Sequence, residues 1–216
     1  MTVAAIVIAP SPDVALTEIE GLPLIRRVVD AAWSGGALPL VVVVPDPAGD
    51  VAGVLDGTPA LVVSPGPDDP RGIAWFVAGM EAAMMAVTAT RAGLLWPARF
   101  AWLDPETVTS LIEAHGVSGP AIVQASYGGT PGFPALVPAA YLERAGALRG
   151  ASAEEALAAL EADGIAFRLL ALGDPGIVHD VATPRAALPR FEAPPEPAAG
   201  PPPEWGAGEA PLAADE

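Results

Sequence analysis

The chain has 216 residues, 52% of them hydrophobic, and a formal net charge of −16, which fits one α/β domain of ordinary size. It has no apolar run near the roughly 20 residues of a membrane span, no cysteine for disulfides or thiolate chemistry, and no lysine, because all ten basic residues are arginines. The acidic charge excludes a basic nucleic-acid-binding surface, and the first ten residues lack the basic start of a secretory signal, so we expect a cytoplasmic protein.

Strand and helix patterns alternate along the first 190 residues. Continuous β-rich runs predict strands at Val3–Ala9, Leu38–Val44, Ala60–Val63, near Leu94, at Ala121–Ala125 and at Phe167–Ala171. Helical spacing predicts helices at Leu22–Ser34, at Ile73–Ala89, from Asp104 onward, at Ala139–Ala147 and at Ala153–Ala162. Asp104 is expected to cap its helix, with Pro105 at the first helical position. A glycine-rich loop is predicted between Ala125 and Ala139.

This alternation predicts the fold class. Repeated β-then-α order is typical of a three-layer α/β domain with a mostly parallel sheet. The strand runs are apolar without alternation, as expected for strands that are covered on both faces. Because parallel strands end at the same edge of a sheet, we expect ligands at the carboxyl ends of the strands.

The composition changes at Phe191. Residues 191–216 contain seven prolines, six carboxylates and no basic residue, whereas residues 1–190 contain 20 acidic residues and 10 arginines. Such a segment buries too little apolar surface to offset the entropy of ordering it. We therefore predict a folded domain over 1–190 and a disordered acidic, proline-rich tail over 191–216. Trp205 in this tail is either an anchor for a protein partner or part of an inert solubilising segment.

Four segments, taken in order, carry a family resemblance. They are "GLPLIRRVVDAAWSGGALPLVVVV" (21–44), "GIAWFVAGMEAA" (72–83), "LDPETVTSLIEAH" followed by a Tyr-x-Gly-x-x-Gly-x-Pro pattern (127–134), and "DPGIVHDVATP" (174–184). Together they resemble the MobA- and MocA-like nucleotidyltransferases of the molybdenum cofactor. The resemblance implies a Rossmann-like NTP-transferase fold, of the glycosyltransferase-A-like type, and an activity that joins a nucleotide to molybdopterin.

The resemblance also implies site residues. The expected nucleotide-binding residues follow the first strand, open the 72–83 helix or belong to "WPARF": Ala9, Pro10, Ser11, Gly72, Ile73 and Arg99. The expected acceptor-binding residues belong to the glycine-rich loop: Tyr127, Gly129, Gly132 and Pro134. Asp180, in the late motif, is the expected metal ligand. No residue is assigned a catalytic role.

The phosphate-binding loop departs from the family pattern. In the family, the first strand leads into a glycine-rich loop that carries an Arg and a following Lys. Here "APSPDVALTEIE" (9–20) has no glycine and no basic residue. Pro10 and Pro12 each remove an N–H donor, and the carboxylates of Asp13, Glu18 and Glu20 add negative charge. We therefore expect this loop to repel a triphosphate, which needs backbone amides and positive charge.

The expected metal ligands are incomplete. In the family, an Asp ends the strand before the "PETV" helix, and Arg99 stands at or near that position. Ala182 replaces the second acid of the late motif, which leaves Asp180 alone. Mg²⁺ normally takes one or two carboxylates plus substrate phosphates, so this is a poor site, whereas Arg99 can contact an anionic ligand through its planar guanidinium.

These departures predict a catalytically impaired member of the family. We expect it to bind a nucleotide or a pterin-like cofactor without Mg²⁺, or to act as a scaffold, in the maturation of a molybdenum enzyme. Two alternatives stay open: an active nucleotidyltransferase, with Mg²⁺, that joins a nucleotide to a pterin or another small acceptor, and an interaction module that acts through its tail.

Two smaller features have structural interpretations. The glycine-rich loop either binds an anion or only turns the chain, through Gly128, Gly129 and Gly132. Trp75, Trp96 and Trp102 are expected in the core, because burying an aromatic side chain contributes about 1.5–3 kcal/mol or more.

Overall fold

A computed structural model describes residues 1–65, 72–148 and 150–193 of the chain. Its strands are β1 (Thr2–Ile8), β2 (Glu18–Ile19), β3 (Leu22–Pro23), β4 (Leu40–Val43), β5 (Ala60–Val63), β6 (Thr90–Pro97), β7 (Ile122–Tyr127), β8 (Thr130–Pro138) and β9 (Phe167–Ala171). Its helices are α1 (Pro12–Leu16), α2 (Leu24–Ser34), α3 (Asp50–Val54), α4 (Ile73–Ala86), α5 (Pro105–Ser118), α6 (Leu142–Ala147) and α7 (Ala153–Ala162). Three short 3₁₀ turns cover Ala139–Tyr141, Pro175–Ile177 and Arg185–Ala187.

Seven strands form one sheet in the order β5-β4-β1-β6-β8-β7-β9. β8 runs antiparallel to both of its neighbours, and the other pairings in this sheet are parallel. β2 and β3 form a separate two-stranded ribbon. The predicted α/β class with a mostly parallel sheet is therefore confirmed.

Helices flank this sheet. α4 packs on β1, β4 and β6, while α2 packs on α5, β1 and β4. α2 presents the apolar side chains that its spacing predicts, because Leu24, Val28, Val29 and Ala32 are all buried. The strands in the middle of the sheet are buried almost completely, as expected for strands that are covered on both faces.

Most predicted elements are present with small shifts at their ends. β5, α7 and β9 have the predicted bounds. Asp104 caps α5 and accepts a hydrogen bond from the Glu106 amide at 2.9 Å. Three predicted helices are shorter: α4 ends at Ala86, α6 starts at Leu142 after a 3₁₀ turn, and α2 starts at Leu24 because the two residues before it pair with β2.

The predicted loop between β7 and the next helix is wrong, because this segment is a β-hairpin. Gly128 and Gly129 have φ of 57° and 81°, the left-handed values that a two-residue hairpin turn requires. The return strand, β8, lies between β6 and β7 although it contains three prolines. The pairing of β8 with β7 is interrupted between Gln124 and Ser126, where the partners in β8 change from Ala135 to Pro131. Residues 132–134 lie in this break, and such an irregularity tolerates a proline, which has no N–H to pair.

The end of the described chain contacts the main sheet region. The Glu192 amide donates to the Gly173 carbonyl at 3.0 Å, in an isolated bridge. The disordered tail was predicted at 191–216; its residues from 194 onward, with the partner anchor predicted at Trp205, lie outside the described residues, so both stay predictions. The boundary at residue 190 stays a prediction. No helix in the described part of the chain has the length and hydropathy of a membrane span.

Candidate functional site

A cleft opens where the strand order reverses. The chain runs from β1 outward to β4 and β5 and then returns to β6 on the other side of β1. In open α/β sheets, ligands bind at the carboxyl ends of the strands at such a reversal. Here Ile8 of β1 pairs with Pro97 of β6, and both line a cavity of about 180 Å³.

This cleft, as we call it below, combines apolar and charged walls. Its lining residues come from the ends of β1 and β6 and from the starts of α4 and α7: Ile8, Pro10, Gly72, Trp75, Pro97, Arg99, Ser152, Ala153 and Glu154. The sequence predicted Pro10, Gly72 and Arg99 as nucleotide-binding residues, and the structure brings these three together.

The first two residues after β1, Ala9 and Pro10, offer no free amide to a phosphate. The Ala9 amide donates to the Val43 carbonyl at 3.0 Å, and Ala9 is fully buried. The Ser11 hydroxyl accepts a hydrogen bond from the Val14 amide at 3.3 Å, because Ser11 is the N-cap of α1. Of the three residues predicted here, only Pro10 lines the cleft, and a proline has no N–H. The chain thus enters α1 directly where the family has its phosphate loop.

The start of α4 is docked on the start of α7. Gly72 has φ of 75°, and a Cβ atom there would lie 2.0 Å from the Ala151 carbonyl oxygen, so only glycine fits. The Ile73 amide donates to the same carbonyl at 3.0 Å, and its side chain is fully buried. Gly72 therefore forms part of one wall of the cleft, whereas Ile73 is packed in the core and does not line it. Nucleotide binding by these two residues stays a prediction.

Arg99 holds two carboxylates at the mouth of the cleft. It lies two residues after β6, and its Nη2 donates to Glu154 Oε1 in a close ion pair. Its Nε lies 3.9 Å from Asp180 Oδ2. The guanidinium also lies over the Phe100 ring, 4.8 Å from the ring centroid. Arg99 thus joins β6, α7 and the late motif.

The Mg²⁺ that the family resemblance implies does not fit these side chains. Asp180 Oδ1 already accepts a hydrogen bond from the Ala182 amide at 3.0 Å, and its Oδ2 faces Arg99. The Glu154 carboxylate is bound to the same guanidinium, so a divalent cation here would meet a permanent positive charge. Across the described ranges, no three His, Asp or Glu side chains are grouped to hold a metal ion.

The predicted acceptor residues have different surroundings. Tyr127 is half-buried at the end of β7, and Gly129 is exposed in the hairpin turn. Gly132 is buried, and a Cβ atom there would lie 2.1 Å from the Ile177 carbonyl oxygen. Pro134 is buried within β8. These positions account for the glycines by turn geometry and close packing, and acceptor binding stays a prediction.

Two of the three tryptophans are buried as predicted. Trp96 is fully buried and Trp75 is 3% exposed. Trp102 is half-buried, and its Nε1 donates to the Asp180 carbonyl at 3.1 Å and to the Thr183 carbonyl at 3.0 Å. Trp102 therefore fixes the late motif beside Arg99. Trp75 Nε1 is buried and has no hydrogen-bond partner among the described residues.

Glu154 is a residue of the site that no sequence pattern predicted. It is 55 positions from Arg99 in the chain, and a lone acid in a helix start carries no signal for such a contact. The one useful sign is the Ser-x-x-Glu capping box that begins at Ser152. This box marks the start of α7, but not its position at the cleft.

The buried carboxylate of Asp174 holds together two segments next to the site. Asp174 is 2% exposed and accepts hydrogen bonds from the amides of Asp104 (2.9 Å) and Gly176 (2.8 Å) and from the Thr107 hydroxyl (2.7 Å). Burial raises the pKa of Asp174, and its hydrogen bonds oppose this shift only in part. Asp174 therefore ties the late motif to the start of α5.

A model of the MobA-like NTP transferase domain matches residues 11–165 of the chain. The chain belongs to this family. No curated protein sequence matches this MobA-like protein significantly. The matched region includes every strand from β2 to β8 and ends after α7, so it covers both sides of the cleft except for β1 and the late motif.

Solved structures share the fold of this MobA-like protein. A nucleotidyl transferase from Methanothermobacter is 20% identical with a TM-score of 0.70, over 83% of this chain and 91% of its own. Rv0371c from Mycobacterium tuberculosis, in complex with manganese, is 16% identical with a TM-score of 0.62, over 79% and 88%. A CMP:2-keto-3-deoxy-manno-octonic acid synthetase complexed with CTP is 14% identical with a TM-score of 0.64, over 86% and 95%. The predicted Rossmann-like NTP-transferase fold is therefore confirmed.

Proposed function

We propose that this MobA-like protein binds a nucleotide or a pterin in the cleft without Mg²⁺ and does not carry out metal-dependent nucleotidyl transfer. The observation that carries the proposal is the place of Arg99, whose guanidinium lies against Glu154 and Asp180. At the position where the family resemblance implies a metal-binding Asp, the chain has a fixed cation of its own.

The charge of this site fits a small anion better than a triphosphate. A guanidinium presents planar N–H donors to a phosphate and is always protonated, but it neutralises only part of the charge of a triphosphate. The two residues after β1 add no donors, since the Ala9 amide is bonded within the sheet and Pro10 has none. Glu154 adds a negative charge that a triphosphate would have to displace.

The size and lining of the cleft fit one ring. Its volume of about 180 Å³ is below the roughly 300–1,000 Å³ of sites that enclose whole drug-sized ligands. Ile8, Trp75 and Pro97 provide apolar contacts for a flat heterocycle such as a nucleobase or a pterin. A pterin ligand would place this protein in the maturation of a molybdenum enzyme.

Calorimetric titration with and without metal tests the proposal. CMP, GMP, AMP and a reduced pterin are titrated in Mg²⁺ and in EDTA. We expect the affinity for each ligand to agree within about twofold between the two conditions, because no metal takes part in binding. A tenfold or larger loss of affinity in EDTA, about 1.4 kcal/mol, would contradict the proposal. Arg99→Gln should weaken binding of the phosphate-bearing ligands. Arg91→Gln is the matched control, because Arg91 is exposed near the opposite end of β6 and bonds only to backbone carbonyls in the described chain.

Two further measurements separate binding from catalysis. Pyrophosphate release from CTP, GTP or ATP with a pterin acceptor should be undetectable, and Mg²⁺-dependent turnover by the unmodified protein would instead establish the active transferase. Arg99→Asp places a third carboxylate beside Glu154 and Asp180, so it should create Mg²⁺ affinity. It should not create turnover, because residues 9–20 still contain no glycine and no basic residue.

A further inference from the structure

Two arginines converge on one carboxylate at the ribbon formed by β2 and β3. Glu20 Oε2 accepts a hydrogen bond from Arg27 Nη2 at 3.1 Å and from Arg185 Nη1 at 3.0 Å. Arg27 belongs to α2, whereas Arg185 is 165 positions from Glu20 in the chain. We call Arg27, Arg185 and the adjacent Trp102 the arginine clamp. The clamp lies beside the late motif, on residues other than those that line the cleft.

Trp102 gives the clamp a rigid aromatic wall. The Arg27 guanidinium lies 5.4 Å from the centroid of the Trp102 ring, in reach of a cation–π interaction. The indole is fixed by its two hydrogen bonds to the carbonyls of Asp180 and Thr183. Arg27 Nε is buried and has no acceptor among the described residues.

Glu20 is an unusual residue for its position. With φ of 51°, it is the only residue other than glycine with positive φ in the described chain. It forms a two-residue hairpin turn with Gly21, and such turns favour Asn, Asp or Gly at both places. Turn geometry therefore does not explain the glutamate. A residue held in a strained conformation is often held for its side chain, and here that side chain fills the clamp.

Open space lies on both sides of the clamp. A cavity of about 300 Å³ lies between α2 and the start of α5, and another of about 510 Å³ lies between the ribbon and the 3₁₀ turn at Arg185–Ala187. Trp102 and Arg185 line both. Three other carboxylates also line them: Asp30, paired with Arg26 at 3.0 Å, Asp104, which caps α5, and Glu18 on the ribbon. The volumes are within the range of small-molecule sites, about 300–1,000 Å³.

We propose that the arginine clamp binds a small aromatic oxyanion, a phosphate ester or a carboxylate, and that Glu20 occupies the anion position when the ligand is absent. Paired guanidinium groups recognise both kinds of oxyanion through charge-assisted hydrogen bonds. The Trp102 face would contact the aromatic part of the ligand. This proposal does not depend on nucleotide binding in the cleft.

Glu20→Gln tests the clamp, because it removes the competing charge and keeps the side-chain shape. Binding of phenyl phosphate, benzoate and inorganic phosphate is measured by titration calorimetry. We expect the better aromatic ligand to bind Glu20→Gln about tenfold more tightly than the unmodified protein, which equals about 1.4 kcal/mol. Tighter binding of phenyl phosphate assigns the site to phosphate esters, and tighter binding of benzoate assigns it to carboxylates.

Two variants serve as controls. Glu81→Gln removes the same charge from an exposed position on α4 that lines neither cavity, so it should leave the affinity unchanged. Arg185→Gln added to Glu20→Gln should abolish the gain, and Arg185 is exposed, so this change should not unfold the protein. Equal gains in Glu81→Gln and Glu20→Gln, no binding to Glu20→Gln, or binding of inorganic phosphate as tight as that of the better aromatic ligand would each overturn the proposal.

Discussion

Asp174→Ala should destabilise the protein more than any other single polar substitution discussed here. The substitution leaves the buried Gly176 amide and the part-buried Asp104 amide without their acceptor. A buried donor without a partner costs about 1–3 kcal/mol. The Thr107 hydroxyl also loses its acceptor, but a hydroxyl in a helix can turn to a backbone carbonyl, so its loss adds little.

Two unpaired amides together cost about 2–6 kcal/mol. The expected loss of unfolding free energy is about 3 kcal/mol, in the lower half of this range, because alanine also removes the cost of burying a carboxylate. For a chain of this size, that loss lowers Tm by roughly 6–12 °C. Circular dichroism or differential scanning calorimetry near neutral pH measures it. A Tm within about 2 °C of the unmodified protein would refute the assignment of Asp174 as the tie between the late motif and α5.

Asp174→Asn adds a pH test with a defined sign. Because burial raises the pKa of Asp174 in the folded protein, its contribution is fully present below the unfolded carboxyl pKa, about 3.9. That contribution is lost as the pH rises through the raised folded value. Asparagine does not titrate, so the stability of the unmodified protein relative to Asp174→Asn should fall as the pH rises above about 4. A difference that stays constant with pH would show that Asp174 has an ordinary pKa.

Three further predictions concern stability and are measured by thermal melts. Burial lowers the pKa of His115. The stability that its neutral imidazole contributes is therefore present above about pH 6.5 and is lost as the pH falls through the folded-state pKa. His115→Gln should reduce the loss of Tm at acid pH, and an unchanged loss would contradict this. Gly132→Ala should cost about 1–3 kcal/mol, since its Cβ would meet the Ile177 carbonyl, whereas Gly116→Ala, with open space in α5, should stabilise by about 0.5–1 kcal/mol. Ser152→Ala should cost about 1 kcal/mol through the lost capping box, and no change would show that α7 needs no cap.

The helices and parallel strands were predictable because their patterns are local. α7 begins at a capping box, and β5 and β9 are short runs with β-branched or aromatic residues, so their bounds agree with the sequence. β8 was not predictable in this way. Its prolines at 131, 134 and 138 argue against a central strand, and the interrupted pairing that accommodates them depends on β6 and β7.

The candidate site was predictable on one side only. The pattern before "PETV" located Arg99, which lies at the mouth of the cleft. Its partner Glu154 comes from a distant helix that no local pattern connects to β6. Glu20 was predicted to add negative charge to the loop after β1. In the fold, Arg27 and Arg185 pair with its carboxylate, and no local pattern indicated these partners. Ion pairs between distant elements depend on tertiary packing, which a single sequence does not show.

The hairpin turn at Gly128–Gly129 has a consequence for how quickly different parts of the sheet assemble. Within the seven-stranded sheet, β7 and β8 are joined by this turn alone, whereas Thr2 in β1 contacts a residue 88 positions away in β6. Hairpins form in about 1–10 μs, and closing a long loop costs entropy before the contact stabilises the chain. In pulsed hydrogen exchange during refolding, the amides of β7 and β8 should therefore gain protection before those of β1, and the cleft, which needs β1 beside β6, should be among the last features to form.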